Sequence, residues 1–307
     1  MHQYLDFKAL REELSKQGFR FTRRWGQNFL TRKNLLDLLV TSAEVSEEDV
    51  VLEIGTGPCT LTCLLLQAGA RVVGVEIDTR LFNIGKTMLD QHLSKEFTDR
   101  ISWIQEDFLK NKNCIAPNVI KALTETLGQS GRQGYKVVSN LPYCIATPAI
   151  MNILESPVPW IAMAVTIQSE VADRFAASPG SRAYGQVSVL AQAITEVKVL
   201  KKIKPSSFWP EPDVDSSLLL FKPKEECLIS KPVSYKMFKD FTRHIFSHRR
   251  KTWFKSLKIS DPSFPVPIFL KRLEAEGIDT TQRAQELRWE EIKRISDLFY
   301  SICPKIR

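Results

Sequence analysis

Cysteine is scarce in this sequence, and none of it is arranged in close pairs. The 307 residues include 6 cysteines, and no two of them form a Cys-x-x-Cys motif. They lie within or beside apolar segments, so we interpret them as reduced core residues. This pattern argues against a disulfide framework and against a thiolate metal site. We therefore expect no bound metal.

Long apolar runs are also missing. No uninterrupted stretch approaches the roughly 20 residues that a membrane-spanning helix needs. The first residues alternate charged and apolar side chains, which is not the pattern of a signal-peptide core. The sequence thus predicts a soluble, cytoplasmic protein without a membrane partner.

Acidic residues are outnumbered, mainly in one part of the chain. There are 43 lysines and arginines against 35 aspartates and glutamates, which gives a net charge of +8. Residues 225–307 hold 17 of these basic residues and 11 of the acidic ones, so most of the excess lies there. This distribution predicts a polyanionic partner that contacts the C-terminal part.

The first two thirds of the chain alternate short apolar strands with helical patterns. The strands are predicted at 50–54, 71–77, 101–105, 135–139 and 161–167, with two more at 197–203 and 217–221. Such alternation is typical of a doubly wound α/β domain with a mostly parallel sheet. Beyond residue 224 the pattern is helical and includes a predicted helix at 250–257. We predict two domains, residues 1–224 and 225–307.

The predicted strand 135–139 leads into the sequence Asn140-Leu141-Pro142-Tyr143. This places an amide, a backbone carbonyl and an aromatic ring at the carboxyl edge of the sheet, where open α/β folds bind ligands. The Asn140 oxygen and a carbonyl near Leu141 or Pro142 could accept both hydrogens of an amino group such as adenine N6, which makes that weak nucleophile more electron-rich. Tyr143 offers a ring for stacking. Taken alone, the tetrapeptide is more commonly an ordinary turn after a strand.

Glycines and carboxylates follow the ends of the preceding strands. Gly55 and Gly57 come after the first strand, where a backbone must pass close to a ligand. Glu76 lies 19 residues beyond Gly57, at the distance expected of a carboxylate that binds a ribose diol. Asp107 ends the third strand. Thr60 stands where a dinucleotide-binding fingerprint needs a small residue, so the glycine pair alone is weak evidence for a nucleotide site. The glycine pair, Glu76 and Asp107 together, on three successive strand ends, are stronger evidence.

Two basic segments contain interleaved aromatic residues, around 20–33 and 248–255. Basic residues between rings can pair with phosphates and stack on bases. Each segment is equally compatible with a solvated charged surface. The Pro-Gly segment 178–185 fits either a mobile flap or a surface loop. Phe208, before a proline-rich loop, fits either a ring presented to a base or a packed core residue.

With these motifs in place, the chain from about Trp25 to Leu287 resembles the small-subunit ribosomal RNA adenine N6,N6-dimethyltransferases, which use S-adenosylmethionine. Any one of the matching blocks could arise by chance, but their order along the chain is specific. The blocks are Gly26–Leu30, the glycine-rich strand end at Glu53, Glu76–Asp78, Glu106–Phe108, Asn140–Tyr143, Gln168 with Glu170–Arg174, Pro179–Gly185, Phe208–Ser216, Arg249–Thr252 and Arg283–Leu287.

The resemblance implies a Rossmann-like class I methyltransferase domain with a small all-helical C-terminal domain that binds RNA. It implies methylation of two adjacent adenosines near the 3′ end of small-subunit rRNA, in a small-subunit precursor, by a monomer. The implied cofactor-binding residues are Gln27, Asn28, Leu30, Gly55, Gly57, Glu76, Ile77, Asp107, Phe108 and Asn140. The implied catalytic residues are Asn140, Leu141, Pro142 and Tyr143, and the implied RNA-binding residues are Phe208, Arg249, Arg250 and Lys251.

Two departures from the family pattern stand out. Cys59, preceded by Pro58, replaces a third glycine, and the crossover at 109–134 is longer than expected. Two other interpretations remain open from the sequence. One is a large-subunit rRNA adenine methyltransferase of the antibiotic-resistance type, and the other is a methyltransferase-like RNA-binding factor without catalysis.

Overall fold

The computed structural model describes residues 7–16, 18–22, 25–224 and 232–302. The chain divides into two compact units. Unit 1 is formed by Met1–Ala172 and Lys198–Lys222, and unit 2 by Asp173–Val197 and Pro223–Arg307. The predicted division at residue 224 therefore misses residues 173–197, which group with the C-terminal helices. Nothing local marks this segment, because a helix between two strands usually covers their own sheet.

The helices and strands alternate through unit 1 and give way to helices in unit 2. The strands are β1 (Phe29–Leu30), β2 (Val50–Ile54), β3 (Arg71–Val75), β4 (Ile101–Ile104), β5 (Leu109–Asn111), β6 (Cys114–Ile115), β7 (Tyr135–Asn140), β8 (Trp160–Gln168), β9 (Thr195–Ile203), β10 (Phe208–Trp209) and β11 (Ser216–Pro223). The helices are α1 (Phe7–Lys16), α2 (Lys33–Ser42), α3 (Thr60–Gln67), α4 (Thr79–His92), α5 (Lys95–Thr98), α6 (Pro117–Ser130), α7 (Ala146–Leu154), α8 (Ser169–Phe175), α9 (Gln186–Ile194), α10 (Pro232–Phe246), α11 (Trp253–Ser260), α12 (Val266–Ala275) and α13 (Trp289–Ile302).

A seven-stranded sheet with the order β4-β3-β2-β7-β8-β11-β9 organises unit 1. The five strands from β4 to β8 are parallel, and β11 runs antiparallel to β8. Val50 to Ile54 are all buried, as expected for a central strand covered on both faces. The predicted fold, a doubly wound and mostly parallel α/β domain with a C-terminal helical region, is confirmed.

Two smaller pairings lie outside this sheet. β1 pairs antiparallel with β10, and β5 pairs with β6. The β5–β6 hairpin and α6 make up the long crossover after β4, where the sequence pattern indicates only a short helix at 119–127. The hairpin was missed because its strands are only three and two residues long, too short to show a strand pattern.

Unit 2 is a helical assembly around a core of aromatic residues. Phe238, Phe241, Trp253, Phe269 and Phe299 are buried there. The helix predicted at 250–257 begins later, at Trp253, because the Thr252 side chain caps it by accepting a hydrogen bond from the Lys255 N–H.

The Pro-Gly segment 178–185 belongs to unit 2 and is bonded there at several points. The Gly180 N–H donates to the Gln285 carbonyl at 2.7 Å, and Tyr184 is buried. The Arg249 guanidinium donates to the carbonyls of Arg182 and Tyr184. These contacts support the surface-loop interpretation of the segment over the mobile flap.

The described cysteines are unpaired, but not all of them lie in the core. Cys59 and Cys63 are buried, whereas Cys114 and Cys144 are exposed. The core interpretation was wrong for these two because one lies on the β5–β6 hairpin and the other in a turn that faces a cavity. Cys227 and Cys303, like Arg23 and Arg24 of the first basic segment, lie outside the described residues.

The described part of the chain lacks a membrane-spanning helix and a metal-binding cluster. None of its helices is both long and apolar enough to cross a bilayer. Within the same ranges, no three His, Cys, Asp or Glu side chains converge in a way that could hold a metal ion.

Candidate active site

A cavity of about 240 Å³ lies in unit 1 where β2, β3 and β7 end. Its walls come from the segment before α2, the loops after β2, β3 and β4, and the turn after β7. The residues predicted from the sequence that line it are Gln27, Asn28, Gly55, Gly57, Glu76, Ile77, Asp107, Phe108, Asn140 and Pro142. The lining residues not predicted for it are Trp25, Gly26, Phe29, Ile54, Val75, Leu81, Glu106, Cys144 and Ile145.

Two glycines allow the loop after β2 to pack closely against neighbouring segments. Gly55 and Gly57 have φ values of 75° and 51°, which favour glycine. A Cβ on Gly55 would lie 3.0 Å from Pro142 Cγ, and one on Gly57 would lie 3.0 Å from Phe29 Cε1. Larger residues would therefore displace both the Asn140–Tyr143 turn and the segment before α2.

Cys59 occupies the position of the usual third glycine and keeps a left-handed conformation, with φ 64°. Its buried side chain points at Gly85 of α4, where an added Cβ would overlap the Cys59 sulfur. The cysteine is thus accommodated because α4 has no side chain at this position. The glycine at position 85 thus compensates for the cysteine at position 59.

Glu76 is held by backbone groups at the end of β3. One carboxylate oxygen accepts from the Gly57 N–H at 2.8 Å and the other from the Asp78 N–H at 2.9 Å. Burial raises the pKa of Glu76, and these N–H groups oppose the shift. Each oxygen keeps a second lone pair for a ligand hydroxyl.

Asp78 joins this carboxylate to the segment before α2. Its Oδ2 accepts from Gln27 Nε2 at 2.8 Å, and its Oδ1 caps α4 by accepting from the Arg80 N–H at 2.9 Å. The Gln27 Oε1 in turn accepts from the Thr22 N–H. Gln27 is therefore fixed by both ends of its amide, and the cavity wall is fixed with it.

Glu53 is buried in β2, next to the cavity wall. Its Oε2 accepts from the Thr62 hydroxyl at 2.6 Å. Burial raises the pKa of Glu53 to about 8, the Thr62 bond opposes the shift, and the nearby Glu76 charge adds to it. Glu53 is thus mainly protonated in the folded protein at neutral pH.

We expect Glu53 to make the protein less stable as the pH rises from about 4.5, the ordinary glutamate pKa, to about 8. In this window the folded state holds a proton that the unfolded chain has lost, so the free energy of unfolding falls with rising pH. The Glu53→Gln variant keeps an acceptor for Thr62 and should show a flatter pH profile, measured by denaturant titration. Glu125→Gln, an exposed carboxyl change, is the control. Parallel profiles for wild type and Glu53→Gln would contradict the assignment.

The Asn140 amide is oriented by two neighbours. Its Nδ2 donates to the Asn28 carbonyl at 2.7 Å, and its Oδ1 accepts a short hydrogen bond from the buried Thr166 hydroxyl. These contacts define which side of the amide carries the oxygen. The parallel register of β7 and β8 places Asn140 directly beside Thr166. The role of Thr166 was not predicted, because the residues around it in the sequence do not show which strand it pairs with or in which register.

The two carbonyls of the turn after β7 differ in whether they already accept a hydrogen bond. The Leu141 N–H donates to the Thr166 carbonyl at 3.1 Å, and the Leu141 side chain is buried. The Pro142 carbonyl already accepts from the Ile145 N–H at 3.1 Å. Of the two carbonyls considered from the sequence, Leu141 is therefore the better candidate acceptor for a substrate.

Four predicted residues of unit 1 lie outside the cavity wall. Leu30 and Leu141 are buried in the core. Tyr143 is half-buried, and its hydroxyl is 2.6 Å from the Ser216 hydroxyl on β11; burial raises the pKa of this phenol. Phe208 is only 3 % exposed and packs in the core, so its ring has no open face for a base. Of the two interpretations of Phe208 offered by the sequence, the packed core residue describes its position in this structure.

The predicted RNA-binding cluster Arg249–Lys251 lies in unit 2, in the turn before α11 rather than on a helix. All three residues are exposed. Arg249 is bonded to two backbone carbonyls of the segment 178–185, so its role there is at least partly structural. Arg250 and Lys251 remain as candidates for contact with a polyanion.

The chemistry of the cavity follows from its lining. Apolar side chains such as Phe108 and Pro142 alternate with the carboxylates of Glu76, Glu106 and Asp107. One Asp107 oxygen accepts from the Leu109 N–H at 2.9 Å, and Oε1 of Glu106 is buried without a hydrogen-bond partner among the described residues. Such a wall suits a ligand with a flat ring, hydroxyl groups and positive charge.

The whole chain resembles known proteins in sequence. A family model described as "Ribosomal RNA adenine dimethylase" matches residues 18–300. The ribosomal RNA small subunit methyltransferase A of Clostridium acetobutylicum is 34% identical over 293 residues, which cover 94% of this chain and 98% of that protein. The protein of the same name from Alkaliphilus oremlandii is 35% identical over 287 residues, covering 92% and 93% of the two chains.

Two solved structures resemble the fold over most of the chain. A dimethyladenosine transferase from Plasmodium falciparum gives a TM-score of 0.70 at 22% identity, covering 87% of this chain and 95% of that one. The 23S rRNA methyltransferase ErmE gives 0.63 at 21% identity, covering 88% and 99%. At these identities the likeness establishes the fold alone, a Rossmann-like class I methyltransferase domain.

Proposed function

This chain belongs to the ribosomal RNA adenine dimethylase family and is an rRNA adenine dimethyltransferase, and from that premise we propose its substrate, its methyl donor and the roles of its residues. The substrate is a pair of adjacent adenosines near the 3′ end of small-subunit rRNA, which become N6,N6-dimethyladenosine. The observation that carries the proposal is the oriented amide of Asn140, with its oxygen fixed at the edge of the cavity.

S-adenosylmethionine is the proposed methyl donor, and the cavity residues fit it. Gly55 and Gly57 line the cavity, and because they lack side chains the loop after β2 packs closely against Pro142 and Phe29. Glu76 has lone pairs for the two ribose hydroxyls, and Asp107 has one for the exocyclic amine of the cofactor adenine. The carboxylates in the wall favour a sulfonium and an ammonium group. Bound there, the cofactor supplies a methyl group on a positively charged sulfur.

The chain itself contributes orientation and electron density at the target nitrogen. The Asn140 Oδ1 and the Leu141 carbonyl accept the two N6 hydrogens, which draws the nitrogen lone pair out of the ring and toward the methyl donor. Tyr143 lies outside the cofactor cavity and provides a face for the target base, its ring fixed by Ser216. After the first transfer one hydrogen remains, so a single acceptor suffices for the second.

Proton loss needs no strong base in this site. Methylation leaves a cationic and acidic nitrogen, whose proton passes to water. Asn140 accepts a hydrogen bond as this positive charge develops, but it does not take the proton. The two buried glutamates near the cavity, Glu53 and Glu76, are held by Thr62 and by backbone N–H groups and serve structure and cofactor binding.

The choice of the small subunit over the large one is supported by the relatives of 34–35% identity, which carry small-subunit names. The fold does not decide between them, because the large-subunit enzyme ErmE has it as well. The interpretation as a binding module without catalysis is disfavoured by the complete polar wall of the cavity. We propose that the enzyme is cytoplasmic and acts as a monomer.

We propose that unit 1 binds the cofactor and the target base, and that unit 2 makes part of the contact with the RNA. In unit 2, Arg250 and Lys251 are exposed and free to contact phosphates, which gives affinity without sequence information. Arg249 is better regarded as a structural residue of this turn.

The direct test is transfer of labelled methyl groups from S-adenosylmethionine to small subunits that lack the modification. We expect dimethyladenosine at two adjacent positions near the 3′ end of the RNA, found by mapping the labelled bases. Large subunits are the control. Label confined to large-subunit RNA would overturn the choice of substrate, and RNA binding without any transfer would overturn the proposed enzyme.

A further inference from the structure

A second cleft lies in unit 1, apart from the cofactor cavity. It has a volume of about 270 Å³ and is bordered by Leu35, Ile203 and a set of polar and basic residues. We call it the basic cleft; its basic and polar lining residues are Arg32, Asn34, Lys201, Lys202, Lys204, Ser206 and Ser207. Among the described residues that line it there is no carboxylate.

The basic cleft is formed by two segments that are distant in sequence but bonded to each other. The Thr31 N–H and hydroxyl both donate to the Ser207 carbonyl, at 2.8 and 2.9 Å. The same two segments continue as the β1–β10 pair, in which Leu30 lies opposite Phe208. The fold thus holds the two segments that line the cleft against each other.

The charge of the basic cleft is largely uncompensated. Lys204 forms an ion pair with Asp215 at 3.5 Å, but its side chain is 79% exposed, where such a pair contributes little. In the part of the chain that the structure describes, Arg32, Lys201 and Lys202 have no ion pair with a carboxylate. Several uncompensated cations around one concave surface indicate a polyanionic ligand.

The order of the strands places the cleft in the half of the sheet that lies beyond Asn140, away from the proposed cofactor residues. Cofactor residues lie at the ends of β4, β3 and β2, and Asn140 lies at the end of β7 in the middle of the sheet. The remaining strands, β8, β11 and β9, carry no cofactor residue. Lys201 and Lys202 are on β9, and the connection from Lys204 to β11 returns beside Gln168 at the carboxyl edge.

We propose that the basic cleft binds the phosphate backbone of the RNA strand that flanks the target adenosine. The inference rests on the proposed function and adds a contact surface to it. From Asn28, whose carbonyl holds Asn140, the chain runs through β1 to Arg32 in four residues, which span about 13 Å when extended. A strand with its target base beside Asn140 therefore has its neighbouring phosphates within reach of the cleft.

A competing explanation concerns the position of β9 at the edge of the sheet. Lysines on an edge strand prevent pairing with other chains, and this alone could explain Lys201 and Lys202. Glutamate protects an edge equally well but repels phosphate. The double variant Lys201→Glu/Lys202→Glu therefore separates the two explanations.

The experiment uses the full-length enzyme, an RNA hairpin with the sequence of the small-subunit 3′ end, and small subunits that lack the modification. For Lys201→Glu/Lys202→Glu we expect affinity for the hairpin to fall about tenfold or more, with a salt slope smaller by about 1 per lysine. The KM for small subunits should rise by a similar factor, while kcat and S-adenosylmethionine affinity stay unchanged. The control is Lys86→Glu/Lys121→Glu on α4 and α6, which changes the net charge equally and should leave binding nearly as in wild type.

Each other outcome has a defined meaning. If wild type methylates small subunits and the double variant has the same KM and salt slope, the inference is wrong and the proposed function stands. If the KM rises but hairpin affinity does not change, the cleft contacts a ribosomal protein, which also overturns the RNA assignment. If the control loses as much affinity as the double variant, the effect is one of net charge and the cleft is not a site. If wild type transfers no methyl group at all, the proposed function itself fails.

Discussion

Replacing Asn140 with alanine should lower kcat for methyl transfer by roughly 10²- to 10³-fold, the usual cost of losing one oriented polar group in an active site. The variant loses the acceptor that faces the target nitrogen and the donor to the Asn28 carbonyl. Affinity for S-adenosylmethionine should change little, because Glu76, Asp107 and the two glycines remain. Single-turnover transfer to undermethylated small subunits and calorimetric titration with the cofactor measure the two quantities.

Two further variants sharpen this prediction. Thr166→Val removes the hydroxyl that orients the Asn140 oxygen and should lower kcat by about tenfold, with an unchanged KM, while Thr166→Ser should restore most of the loss. Asn83→Ala, on the exposed face of α4, is the control for an asparagine outside the site. Wild-type turnover by Asn140→Ala would remove this residue from the mechanism.

The second large effect concerns the packing of Cys59 against α4. Gly85→Ala places a methyl group where the Cys59 sulfur lies, and we expect the free energy of unfolding to fall by about 1 to 3 kcal/mol, as is usual for an overpacked core. Combining it with Cys59→Gly removes the sulfur and gives the left-handed position back to glycine, so the double variant should recover most of the stability. Denaturant titration of the four proteins completes the cycle.

Gly128→Ala is the matched control, because a Cβ on this α6 residue meets no other atom within 4 Å. This variant should be as stable as wild type or slightly more so, since alanine favours a helix. A double variant no more stable than Gly85→Ala alone would show that the two positions are not coupled. In that case the replacement of glycine by Cys59 would need another explanation.

Those parts of the site that depend on local chain chemistry could be predicted from the sequence. Gly55 and Gly57 were found because tight backbone passages need glycine, and Glu76 because the spacing from a glycine loop to the next strand end is nearly constant in this fold. Asn140 was found because it ends a buried strand before a proline. Each signal is confined to a few consecutive residues or to one strand-helix-strand repeat.

Features that depend on which strands become neighbours could not be predicted. Thr166 contacts Asn140 only because β7 and β8 pair in one register, and Ser216 holds Tyr143 because β11 enters the sheet antiparallel. Residues 173–197 were assigned to the wrong unit for a related reason, since the helix that they contain covers the C-terminal helices. The burial of Phe208 likewise depends on β10 pairing with a segment nearly 180 residues earlier.

The pairing of β1 with β10 also determines when a newly made chain can acquire a complete site. Phe29 lies opposite Trp209, so 180 further residues must be synthesised after β1 before its partner strand exists. At bacterial or eukaryotic rates of translation this interval is on the order of ten to forty seconds. During it, the aromatic segment that ends in Phe29 has no strand to pair with, and Asn28 is not yet fixed by this pairing. The site can therefore be completed only after about two thirds of the chain has been made, and a chain that terminates before Trp209 leaves the ribosome with the β1 wall of its cavity unsupported.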